Sequence, residues 1–272
     1  QTLRHNFYLK GSILMSRISP IALGLALPVT LLSQAALADL TPAQVWGDWR
    51  QYMQGMGYEI NATEATSGNT LTVSDIQMNI AVPENAGAVS MSLGTLLFSQ
   101  NGDGSVSIVM PDKMPISISA AESGQDGEEF TLNMTYAQTG HSMTASGDPS
   151  RMTYVYDAAT IALTLDQLIA DGETFGPQNA RMNLTGTGLS SSTTMTVGDL
   201  RGYEQSGSID SMTYDIYIDN PAESAKVAMT GNVESVGMTG GGLIPLGLTG
   251  TADMSAMIRA GFNVSGDITY AG

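Results

Sequence analysis

Leu71-Thr-Val-Ser-Asp-Ile-Gln-Met-Asn-Ile80 is the stretch whose reading decides the fold. Leu71 and Val73 are apolar at odd positions, with Thr70 and Thr72 as their polar neighbours, the alternation of a half-buried strand. After Ser74-Asp75 the apolar residues are Ile76, Met78, Ile80 and Val82, all at even positions. Side chains of a strand alternate between faces with a period of two, so one extra residue must be absorbed if both halves are to share an apolar face. A β-bulge at Ser74-Asp75 absorbs it, and also bends and twists the strand. The same grammar, apolar-x-x-apolar with an acid inside, recurs at Leu165-Asp-Gln-Leu168, Val197-Gly-Asp-Leu200, Ile209-Asp-Ser-Met212 and Val233-Glu-Ser-Val236. The expectation is a mostly β fold: a long, curved antiparallel sheet, a meander of bulged strands, with two sheet halves as a variant. At each bulge the acid is expected to accept from a backbone N–H that has lost its ladder partner.

Working outward, Thr41-Pro42 opens a helix, Thr as N-cap and Pro at the first helical position. Val45, Trp46, Trp49, Met53 and Met56 follow at spacings of three and four, one apolar stripe ended by Gly55 and Gly57. Both tryptophans of the protein lie on this helix. Such a stripe covers an open sheet, or latches over a ligand. Strands and turns fill the rest. Ser67-Gly68-Asn69 and Asn101-Gly-Asp-Gly-Ser105 read as hairpin turns. Pro111 and Pro115 make Ile116–Ala120 an edge strand, and Gly240-Gly-Gly242 opens a loop. A short helix is expected over Ala252–Arg259, capped by Thr251, and a last strand over Phe262–Tyr270.

The address is read from the other end. Residues 1–14 are polar and irregular, read as an upstream misreading or a disordered leader, with Met15 as the start. Residues 15–38 have the form of a secretory signal: Arg17, an uncharged apolar run from Ile18 to Leu32, then Ala36-Leu37-Ala38 before Asp39. A retained membrane anchor is the alternative, and Pro20 and Pro28 favour cleavage, which leaves no membrane span. Residues 39–272 are then one β-rich domain, or two lobes meeting near 157–160. The periplasm is the expected compartment.

Charge and composition exclude more than they assign. Arg4, Lys10 and Arg17 precede Asp39 and no acid does; ten Lys+Arg less these three leaves seven against 26 Asp+Glu, a net of −19. Nucleic acid and anionic headgroups both need clustered cations, so neither is an expected partner. There is no cysteine and, after residue 38, His141 is the single histidine, which argues against a thiolate or zinc site. No nucleophile elbow, phosphate loop or dinucleotide fingerprint occurs. The expectation is no enzyme, no catalytic residue, no cofactor and no metal. Asn101-Gly-Asp-Gly-Ser105 has the opening spacing of a calcium loop but lacks its sixth-position Gly and closing Glu.

A curled sheet with one apolar face leaves a trough for helices, a second sheet or an apolar ligand. The proposed lining is Leu71, Val73, Met78, Ile80, Met91, Leu93, Leu163 and Leu165, in a chain whose seventeen methionines suit an adaptable apolar surface.

Five stretches, Val45-Trp-Gly-Asp-Trp49, Met56-Gly-Tyr58, Leu71-Thr-Val-Ser-Asp-Ile76, Phe98-Ser-Gln-Asn-Gly-Asp-Gly-Ser-Val106 and Gly140-His-Ser-Met143, resemble the bacterial domain of unknown function 2125 family. The likeness implies a Gram-negative envelope protein and no assigned activity. The bulged strands are more loosely similar to AsmA-like envelope proteins, which implies lipid handling by analogy. Three readings follow: a periplasmic protein holding a lipid or other apolar molecule, an envelope adaptor with a filled core and a protein partner, and an outer-membrane β-barrel.

Overall fold

A computed structural model of the chain describes residues 39–81, 87–121, 129–170, 172–198, 200–220, 225–245 and 254–271. The export segment, Asp199, the stretch 221–224 and the Thr251 cap lie outside them. Helix α1 spans Pro42–Gly55. Its start is a capping box: the Thr41 hydroxyl accepts from the Gln44 N–H, and the Gln44 side chain takes the Thr41 N–H at 2.9 Å. Gly57, at φ +93°, turns the chain out of the helix.

Among the described residues thirteen strands follow. They are β1 (Glu59–Ser67), β2 (Thr70–Ala81), β3 (Gly87–Gln100), β4 (Val106–Val109), β5 (Lys113–Ala121), β6 (Glu129–Thr139), β7 (Ser142–Asp148), β8 (Arg151–Ala170), β9 (Glu173–Phe175), β10 (Ala180–Thr196), β11 (Leu200–Asn220), β12 (Ala225–Pro245) and β13 (Asn263–Ala271), with α2 (Met254–Arg259) before the last. Every pairing is antiparallel. Strands β4 and β5 lie end to end along one edge of β3, and β7 and β6 end to end along β8. Counted as ribbons, the sheet is therefore a plain meander in chain order, with β9 a short return against the end of β8. Strand β8 runs unbroken through residues 157–160. The outer strands β1 and β13 pair with β2 and β12 alone among the described residues, so the sheet is open where a barrel would join them.

Two local expectations are corrected. Strand β5 is not an edge: it pairs with both β3 and β6. Its ladder to β3 ends at Met91–Ile116, one residue short of Pro115, so the proline falls where β5 has a partner on the β6 side only. Gly240–Gly242 is strand rather than loop, paired with Tyr203–Gln205 on one side and Val264–Gly266 on the other. The backbones close in there: a side chain at Gly242 would meet the carbonyl of Asn263.

A single crease crosses the sheet. In β2 the register shifts between Val73 and Ile76, Asp75 adopts φ +55°, and Ile76 faces Gly94 of β3 at φ +68°. A side chain at Gly94 would press on Pro111, at 3.2 Å, in the break between β4 and β5. That break abuts the one between β6 and β7: Gln138 N–H donates to the Asp112 carbonyl at 2.8 Å, and His141 Nε2 donates to the Met110 carbonyl at 3.1 Å. Gly140 lies against Ala159 of β8, whose neighbours Ala158 and Thr160 pair with Leu189 and Thr187 around Gly188, at φ +63°. Beyond it Asp210 lies between pairs Ile209–Val236 and Ser211–Glu234, level with Ser235 at φ +52°. Apart from the short β9, each strand from β2 to β12 thus spends a residue or a break at one level. The bulge read at Ser74-Asp75 is one stitch of that seam, and Leu71, Val73, Ile76 and Met78 all end up buried on one face.

The four described out-of-step acids, Asp75, Asp166, Asp210 and Glu234, all lie in strands. Asp166 is the extra residue of a second bulge, between pairs Asn133–Gln167 and Met134–Leu165. Its carboxylate takes the Thr135 hydroxyl at 2.6 Å, and Asp75 takes the Ser74 hydroxyl at 3.3 Å. The partners are hydroxyls in place of the expected backbone N–H groups.

Curvature follows from reach. Seven steps between ribbons separate β1 from β11, roughly 34 Å in a flat sheet at about 4.8 Å per step. A helix with its side chains is only about 10–12 Å wide. Yet Trp46 Nε1 and Arg50 Nη1 both donate to Glu64 of β1 at 2.8 Å, and Asp48, on the same turn, is paired with Arg201 of β11. The sheet curls round α1. The core forms in the curl, from Val45 and Trp46 against Leu71, Val73, Ile76, Leu96, Phe98, Val106, Ile108 and Tyr154. Phe98 is its centre, with ring centroids 5.9 Å from Trp46 and 5.6 Å from Trp49.

Candidate functional site

The inner face is not filled by α1. A hollow of about 440 Å³ opens beside the helix, lined by Trp49, Met91, Leu93, Met110, Met114, Ile116, Tyr136, Gln138, Met143, Tyr154, Tyr156, Ser191 and Thr193. A second, of about 290 Å³, shares Trp49, Met143, Tyr154 and Thr193 and adds Asp48, Tyr52, Met53, Met195 and Arg201. A third, of about 200 Å³, shares Tyr136 with the first and lies among Ile161, Leu163, Leu184, Ile209 and Met212. Shared walls make them one apolar trough along the concave face, crossing the crease at the largest hollow. Six methionines line its first two parts, unbranched and polarisable side chains that adapt to what they pack against.

The polar groups of the trough are few and placed. Asp48 is the charged residue on the buried face of α1, three residues after Val45 and four before Tyr52. Its carboxylate pairs with Arg201 Nη2 and accepts the Tyr154 hydroxyl at 2.7 Å. The Arg201 side chain is fully buried, its guanidinium 5.2 Å over the Tyr52 ring. Burial, and then the Asp48 charge, push the Tyr154 phenol far above its ordinary pKa, so it stays a donor. Burial raises Tyr52 against the opposing pull of Arg201. At the other end of the large hollow Tyr156 donates to Gln138 and meets the Tyr136 hydroxyl at 3.1 Å; burial, then that Tyr136 contact, raises its pKa.

The residues proposed from sequence divide by place. Leu71, Val73 and Met78 belong to the core round α1. Met91 and Leu93 line the largest hollow, and Leu163 the third. Leu165 is partly buried opposite Met134. Ile80 lies in β2, its side chain outside the described residues. Sequence reading did not select Asp48, Tyr154 and Arg201. Asp48 carried a signal, a lone acid at helical spacing within an apolar stripe; Arg201 carried none, because its partner lies 153 residues away.

The Asn101–Ser105 segment is a turn. Asp103 Oδ1 accepts the Ser105 N–H at 3.0 Å and hydroxyl at 2.6 Å, which holds its pKa below the ordinary carboxylate value. Among the described residues no three His, Cys or acidic side chains gather as a metal would need, and no helix is long and apolar enough to cross a membrane. No family model, no curated protein and no solved structure matches the chain.

Proposed function

We propose that the protein is exported to the periplasm and holds a lipid or another apolar molecule in the trough against α1. The observation that carries this is the run of adjoining hollows on the concave face, apolar along its length and open beside Trp49. Ligand sites are concave, mostly apolar and fixed by few polar groups, and this one has that make-up. The signal-like segment at 15–38 supports the address, and the five motif stretches support kinship with the domain of unknown function 2125 family. The role is carriage or sensing without catalysis. Organic extraction of protein purified from native membranes is expected to release a bound lipid, and a fluorescent fatty acid is expected to bind. Absence of both would end this reading.

A second reading has its own observation. Ile218, Val227, Met229, Val264, Ile268 and Tyr270 are exposed on β11–β13, at the open edge of the sheet. An envelope adaptor would use such a flank for a protein partner. In-cell crosslinking through Ile268 that recovers one defined protein, with no lipid in the extract, would select it.

A further inference from the structure

Arg201 is the one fully buried cation among the described residues, and it is only partly satisfied. Nη2 serves Asp48, while Nε and Nη1 are buried with no hydrogen-bond partner. A guanidinium has only donors, so each unmatched N–H asks for an acceptor. Buried polar groups are almost always paired, so two unpaired donors on a residue that lines a hollow ask for an acceptor from outside the chain. Arg201 lines the second hollow with Tyr52, Met53 and Met195, at one end of the apolar run. Its other polar neighbours are spoken for: the Tyr154 hydroxyl is donated to Asp48, and Asp48 accepts from both sides.

We infer that the molecule held in the trough is an acyl amphiphile, and that Nε and Nη1 of Arg201 hold its carbonyl or carboxyl oxygen while the chain lies along Met143, Met110 and Leu93. This rests on the trough binding an apolar guest, and it names the head group. An ester and a carboxylic acid share the needed oxygen. Their difference is charge: Asp48 already neutralises Arg201, so an ester adds none, whereas an ionised acid adds a negative charge to a chain of formal net −16.

Displacement of a neutral apolar dye from the full exported chain, read by dye fluorescence, separates the terms. The probes are methyl hexadecanoate, hexadecanoate and hexadecylammonium, each below its micelle concentration. A trough that reads only the tail would favour the ammonium probe, because the protein is strongly acidic. The expected result is the reverse, both acyl probes displacing dye at about tenfold lower concentration than the ammonium, one buried hydrogen bond to a charged group being worth about that much. Ester above acid identifies a neutral head, and acid above ester an anionic one. Arg201→Gln, where it folds, is expected to lose the acyl preference. Equal displacement by all three, or preference for the ammonium, overturns the head-group assignment and leaves the trough standing. Failure of the dye and every probe to bind removes the trough reading itself. The wild-type ranking decides even if Arg201→Gln does not fold.

Discussion

Asp48 on α1 and Arg201 on β11 meet inside the protein across 153 residues of chain, with the Tyr154 hydroxyl as the third member. Removing one partner leaves the other charge buried and alone. Asp48→Ala is therefore expected to cost about 3–5 kcal/mol, and replacing both, as Asp48→Leu with Arg201→Met, much less. In a domain of this size that is roughly 6–20 °C in Tm for the single change. Thermal melts followed by tryptophan emission test it; equal losses for single and double variants would show that the two side chains do not act as a pair.

Phe98 is wholly buried between Trp46 and Trp49 and is the sheet's main grip on α1. Phe98→Ala is expected to destabilise by about 3–5 kcal/mol in urea unfolding. Because both tryptophans pack on that ring, their emission is expected to shift to the red in the folded variant. An unchanged midpoint would mean that the helix is held elsewhere.

The crease places Asp75 in the left-handed region, where a Cβ-branched side chain is strained by about 1–2 kcal/mol. Asp75→Val is expected to lose that much, and Asp75→Gly to be neutral or slightly stabilising. If valine is tolerated as well as glycine, the bulge does not set the conformation there.

Tyr52, Tyr154 and Tyr156 all have pKa values raised above 10.0, chiefly by burial. Their neutral forms are favoured in the fold, so this contribution is whole below the unfolded-state value near pH 10 and is lost as pH rises through the folded-state values. Cooperative unfolding is expected above about pH 10, with these three phenols ionising only as the protein opens. Phenolate absorbance titrated beside circular dichroism tests this; smooth ionisation of every tyrosine before unfolding would refute it. At the acid end Asp103 and Asp148 have lowered values, from their bonds to Ser105 and Ser150, so their small contributions fade as pH falls below about 4.

Self-repulsion is the fifth lever. With 26 acids against ten Lys and Arg, added sodium chloride is expected to raise Tm as it screens the surface. A Tm that does not respond between low and physiological ionic strength would show that the charges are too dispersed to matter.

Much of this architecture was legible in the chain. The parity slip after Val73 located the bulge, and the threonine-proline pair located the helix, because both are local consequences of strand period and capping. What stayed hidden is set by pairing between distant segments. Gly240–Gly242 looks like a loop until Gly266 is seen beside it, two backbones close enough to need bare residues on both sides. The edge reading of β5 failed for a related reason, since a proline's lost donor matters only where a neighbour is present to miss it. Arg201 could not be chosen from seven scattered cations until the meander brought it under α1.

The transverse line of left-handed residues also governs how this chain can grow or shrink. Deleting one residue beside Asp75 would swing Thr70 and Thr72 into the curl and expel Leu71 and Val73, since parity is fixed on each side of the line. Tolerated insertions and deletions within the strands must therefore come as even numbers or reset the seam itself, while hairpin tips such as Gly68-Asn69 are free to vary by single residues.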